Sequence, residues 1–182
     1  MGLEFEIRPA DCDERWLAGE TPVAYARRVA RSKLEAVLRT PTQRRLAADT
    51  TVWIDAETAP LGKPTTRDEA RQMLERLSRA ETHQVTTAFA FDGAAGVEDE
   101  HVTTRVHFRS LGHAELERYL DGDEWRDKAG GYGIQASAAS FVIRIEGSYT
   151  NVVGLPLAEL SSWLLDENED EDEDENEGRG AG

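Results

Sequence analysis

Residues 84–108 read QVTTAFAF, DGAAGVEDE and HVTTRVHF, two β-type segments on either side of a stretch rich in glycine and acid. In the second segment Val102, Thr104, Val106 and Phe108 share one face, because side chains alternate sides along a strand. The pair predicts a hairpin, with residues 92–100 as its loop. On the N-terminal side, Thr66 and Glu69 have the spacing of a capping box ahead of Ala70, Met73, Leu74 and Leu77, which predicts a helix. Before it, TAPLGKP (58–64) is turn chemistry, and RRLAADTTVWID (44–55) reads as a strand with Leu46, Ala48, Val52 and Ile54 apolar. Thr21-Pro22 predicts the start of an earlier helix, with Val23, Ala26, Ala30, Leu34, Val37 and Leu38 recurring at spacings of three and four. Phe5 and Ile7 alternate with charged residues and suggest a short strand, ended by Pro9.

On the C-terminal side, AELERYLDG (114–122) predicts a short helix stopped at Gly122. KAGGYGIQ (128–135) carries too many glycines for a regular element. SFVIRIEG (140–147) predicts a last strand, and Pro156 opens a final helix, LAELSSWLL. Strands and helices interleave, so the fold class is α/β. The hairpin makes its sheet mixed, a twisted sheet flanked by helices.

Composition narrows the function. The chain has 182 residues, 39% of them hydrophobic, which suits one domain with a real core. No run of about 18 apolar residues exists, so a membrane span is not expected. The start, MGLEFEIRPADCDE, is acidic and lacks the apolar core of a secretory signal, and Glu6 stands where myristoylation favours Ser or Thr. Cys12 is the sole cysteine, which leaves neither an intramolecular disulfide nor a cysteine-based zinc site and suits a reducing cytoplasm. Ten carboxylates and Arg179 give residues 166–182 a charge of −9, leaving −6 of the total −15 on residues 1–165. A block of like charge cannot bury apolar area, so residues 166–182 are expected to be a disordered tail that solubilises or meets a partner. So acidic a body predicts no nucleic-acid binding, which needs clustered Lys and Arg.

Several residues are candidates for chemistry. Asp49, in A-A-D-T-T at a strand end, suits a metal-binding carboxylate or a base for water, though a solvated turn residue is the plainer reading of its spacing. Lys63 lies in a turn stiffened by Gly62 and Pro64, where an ammonium can meet a phosphate; otherwise it is a surface lysine. Lys33 borders the apolar stripe of its helix, where snorkelling is the plain explanation. Asp127, Lys128 and Gln135 sit on a glycine-rich stretch whose amides can approach a ligand, though it follows no standard phosphate motif. His83, His101, His107 and His113 lack metal-ligand spacing and read as surface or strand residues. Trp53, Trp125 and Trp163 read as core or interface residues, and Trp16 as cover near the site. From residues alone, the reading stops at an α/β domain with a possible phosphate site.

The order of segments carries the reading further. ADTTV (48–52) is followed by LGKP-x4-EA-x2-ML-x2-LS (61–78), H-x-V-x-T (83–87), DKAGGYGIQ (127–135) and GSYTNVVGLPL (147–157). Upstream stand PADCDE (9–14) and ARSK (30–33). This series resembles the Maf family of nucleoside triphosphate pyrophosphatases, in its dTTP/UTP-preferring branch, and the likeness runs over residues 1–165. The resemblance implies a two-lobed cleft of the Maf/ITPase-like kind and hydrolysis of a nucleoside triphosphate to the monophosphate and pyrophosphate. It also implies a divalent cation, magnesium or manganese, and a homodimer. By the same likeness Asp49 is the general base and a metal ligand, and Glu14 a metal-site or second carboxylate. Lys33 and Lys63 bind the triphosphate, while Thr50 and Gln135 stand at positions that separate this branch from one preferring a methylated guanosine nucleotide. The family's opening S-x-S-P-R-R loop has no counterpart in residues 1–182. The expected alternative is therefore a non-catalytic nucleotide-binding or regulatory member.

Overall fold

The computed structural model describes residues 5–40, 43–93 and 96–161. Its elements run α1 (Pro22–Ala36), β1 (Leu46–Trp53), α2 (Arg67–Ala80), β2 (Thr82–Gly93), β3 (Gly96–Phe108), α3 (His113–Leu120), β4 (Val142–Glu146) and α4 (Tyr149–Val153). Residues 157–161 are helical again. No helix among the described residues is long and apolar enough to cross a membrane. The expected acidic tail and Trp163 lie outside the described residues.

Local chemistry sets most boundaries. Thr21 caps α1, its hydroxyl accepting from the Ala24 amide at 3.2 Å, with Pro22 in the first turn. Thr66 and Glu69 form the predicted capping box on α2. Helix α1 stops sooner than its apolar spacing suggests: Val37 is already extended and Leu38 is exposed. Arg45 explains the stop, since its guanidinium donates to the carbonyls of Leu34 and Val37 and so satisfies the helix end.

The class is α/β, but within the described residues the sheet is antiparallel rather than mixed. Its order is β1-β2-β3-β4 and every pairing is antiparallel. Trp53, the last residue of β1, pairs with Gln84 near the start of β2. The α2 excursion therefore returns the chain to the end of the sheet it left and reverses its direction. The expected loop over 92–100 is mostly strand, and two of its four carboxylates, Asp92 and Asp99, are neutralised in place. Asp92 accepts two hydrogen bonds from Arg45, at 2.7 and 2.9 Å, and Asp99 lies between Arg27 and Arg31. The strand expected at Phe5 and Ile7 is also absent; both side chains are more than 80% exposed.

Register sorts the sheet into two faces. Val52, Val85 and Val106 share one face, which packs with α2, α3 and Phe141 in the main core. Ala88 and Ala90 lie on the other, against Ala26, Ala30 and Leu34 of α1. Small side chains on both sides let α1 approach closely, and this brings Lys33 to β1.

Candidate active site

Strand β1 is the outer strand of the described sheet, so its consecutive residues reach both sides of an open edge. Asp49, paired with Ala88, points to the α1 face; Thr50, paired with Thr87, points to the main-core face. A cleft of about 330 Å³ straddles this edge. Its lining includes Lys33, Asp49, Thr50, Lys63, Lys128 and Gln135. Five of the six residues singled out as a site thus meet in one cavity. A second hollow, of about 340 Å³, lies between Thr66 and Arg126 and contains none of them.

Lys33 does not snorkel into water. Its ammonium donates to Asp49 at 2.6 Å and pairs with Glu14, the sixth residue, at 3.1 Å. Burial pushes the Asp49 carboxyl above the usual carboxylate range, and the hydrogen bond and charge of Lys33 offset this only in part. Burial acts on Lys33 in the opposite sense, but its bonds to Asp49 and Glu14 outweigh it and hold the ammonium above its ordinary value. Asp49 is thus a mostly buried carboxylate whose pKa burial raises and Lys33, with a smaller effect from Lys63, holds back, an environment that suits a base.

The opposite face is organised by hydroxyls. Thr87 Oγ1 donates to the Asn151 carbonyl at 2.9 Å, so it accepts from Thr50 Oγ1, also at 2.9 Å. The Thr50 proton is thereby used within the sheet, and its lone pairs are left as acceptors at the cleft. Asn151 is fully buried, and its amide bonds the Thr87 N–H, the Val85 carbonyl and Thr104 Oγ1 at 2.9 to 3.0 Å. It pins α4 to the sheet and so sets Val152 and Val153 on the cleft wall. Lys63 sits on the turn after β1, tied down by Leu61 N–H to Val52 O at 2.7 Å.

Sequence reasoning missed several supports. Tyr25 donates to the Glu14 carbonyl at 2.9 Å, and its ring meets Trp16 at a tilt of 48° with centroids 5.5 Å apart; Trp16 itself does not line the cleft. His83 is a strand residue but fully buried, and its Nε2 bonds the hydroxyl of Tyr132, which lines the cleft, at 2.6 Å. Burial pulls the His83 pKa down to about 3. The one available signal was its position in H-x-V-x-T, on the same strand face as Val85.

A family model described as Maf-like protein matches residues 1–167. The chain belongs to the Maf family. Among relatives, it is 49% identical over 168 residues to a dTTP/UTP pyrophosphatase of Anaeromyxobacter dehalogenans, covering 90% of this chain and 84% of that protein. A dTTP/UTP pyrophosphatase of Roseobacter denitrificans is 45% identical over 87% of this chain and 83% of its own length. One of Syntrophomonas wolfei is 44% identical over 90% and 87%.

Proposed function

We propose that this Maf protein hydrolyses dTTP and UTP to the monophosphate and pyrophosphate, with Asp49 activating the attacking water. The supporting observation is one cleft that holds a buried, Lys33-paired carboxylate beside Lys63, in a chain nearly half identical to a dTTP/UTP pyrophosphatase. Water is a poor nucleophile until it loses a proton; Asp49 accepts that proton as the oxygen bonds to phosphorus and the link between the α- and β-phosphates breaks. Lys33 opposes the rise in the Asp49 pKa that burial causes, and so favours the base form before the reaction. Lys63 faces the charge that gathers on the departing pyrophosphate.

Among the described residues no group of three His, Cys, Asp or Glu side chains is placed to hold a metal by itself. Asp49 and Glu14 nonetheless reach one cation, the Lys33 ammonium. Magnesium is commonly held by one or two carboxylates together with substrate phosphates and water, so this pair fits an ion that arrives with the nucleotide. Asp49 and Glu14 would hold it, and it would supply charge neutralisation at the phosphates. At the other end of the substrate, the Thr50 acceptor and the Gln135 amide suit the N3–H and carbonyl oxygens of uracil or thymine. With its lone cysteine unpaired, the chain is suited to the reducing cytoplasm.

The test is product analysis on a panel of nucleoside triphosphates with magnesium or manganese. UMP and pyrophosphate from UTP, and dTMP and pyrophosphate from dTTP, are expected at rates well above those for GTP. UDP and phosphate as products, or tight binding without turnover, would contradict the reading; the latter outcome is that of a regulatory nucleotide binder.

A further inference from the structure

The cleft contains a third lysine to which neither the motifs nor the family likeness gives a task. Lys128 lines it with Lys33 and Lys63. The three ammonium groups are not equivalent. Lys33 is committed to Asp49 and Glu14. Lys63 and Lys128 make no ion pair among the described residues. The cleft therefore presents two uncommitted positive charges, on different loops.

The chain leading to Lys128 is anchored in steps. Trp125 is buried in the core, and Arg126 stacks over its ring at 4.4 Å while pairing with Asp123 at 2.7 Å. Asp127 then adopts φ +57°, the left-handed region that costs a residue with a side chain about 1 kcal/mol or more. Its turn directs Lys128 into the cleft instead of along the surface path of Arg126. Gly130 follows at φ +72°, where a Cβ would press on Val52 and Leu77 at 3.3 and 3.4 Å. Its N–H donates to the Gly62 carbonyl at 3.0 Å, one residue before Lys63. The loops bearing the two free ammonium groups are thus bonded to each other, and the Lys128 stem lies along Gly133.

We infer that Lys128 is a substrate-binding residue of this cleft, gripping the polyphosphate jointly with Lys63 while Lys33 serves Asp49. The inference rests on the triphosphate reading above. A triphosphate carries about four negative charges, which one uncommitted ammonium meets poorly and two fixed ones meet better, since each charge-assisted contact adds to the last. Uridine itself offers no such charge, so the two readings of Lys128, phosphate grip or loop filler, predict different dependences on phosphate number.

The experiment is calorimetric binding of UTP, UDP and UMP to the full chain, with and without magnesium, for wild type, Lys128→Met and Lys128→Arg. Met keeps the stem against Gly133 and removes only the charge, and because Lys128 is exposed and unpaired the variant should melt as wild type does. Lys128→Met is expected to weaken UTP by about ten-fold and UMP by far less, with a flatter dependence of UTP affinity on salt. Lys128→Arg should recover most of the loss. Unchanged UTP affinity in Lys128→Met, or an equal loss for UTP and UMP, would overturn the assignment while leaving the proposed activity standing. Wild-type protein that binds UTP no better than UMP would overturn the triphosphate reading, and this inference with it.

Discussion

At the scale of single residues, the Lys33–Asp49 pair sets the reaction's dependence on pH. The base form of Asp49 is the carboxylate, and burial raises its pKa above the usual range near 4. Activity should therefore fall on the acid side at a higher pH than an exposed aspartate would give, as Asp49 takes up a proton. Lys33 lowers that pKa, so Lys33→Met should move the acid limb of kcat/KM to still higher pH, beyond any loss of rate. A limb that stays in place in Lys33→Met would show that a different group titrates. This pair also marks the limit of what could be read from the sequence. Asp49 is legible as a carboxylate on a strand, though it stands in the middle of β1 and not at its end, and Lys33 as a lysine on the margin of an apolar stripe. Their 2.6 Å contact joins residues sixteen positions apart through the packing of α1 on β1, which helical spacing alone does not reveal.

At the scale of elements, caps and turns were legible because their signals are local. Thr21-Pro22, the Thr66–Glu69 box and the turn around Gly62 all fall where their side-chain chemistry puts them. The hairpin loop was misjudged for the opposite reason. Asp92 and Asp99 look like loop residues until Arg45, Arg27 and Arg31 arrive from distant segments, and Arg45 lies 47 positions away from its partner. Helix α4 has five residues and few local signals, so its place depends on Asn151. Truncating that side chain leaves the buried Thr87 N–H and Val85 carbonyl without partners. Asn151→Ala should therefore lower stability by about 3 kcal/mol, seen as a drop in the denaturation midpoint. It should also loosen discrimination between UTP and other nucleotides, since Thr50 is held through Thr87. A variant as stable as wild type would contradict the anchoring role.

At the scale of the whole molecule, two cores on opposite faces of one sheet leave the β1 edge between them, and the cleft is that edge. The main core holds a buried titratable group, which links the fold to pH. His83 titrates near 3 in the folded protein and near 6.5 when unfolded, so the unfolded chain binds the extra proton first as pH falls. Its contribution is fully present above pH 6.5 and is lost progressively as pH drops toward 3, by an amount on the order of 5 kcal/mol. Stability followed by denaturant titration across this window should be markedly less pH-dependent in His83→Phe than in wild type. Identical slopes would place the acid sensitivity in another group.

The central claim is that the chain is an enzyme whose base is Asp49. Pyrophosphate release from UTP and from dTTP, with UTP binding measured alongside in wild type and Asp49→Asn, tests it most directly. Turnover by wild type, with a loss of at least about a thousand-fold in Asp49→Asn while the variant still folds and binds nucleotide, is the predicted result. Turnover that survives the substitution, or a folded wild-type protein that binds UTP and releases no pyrophosphate, would contradict it.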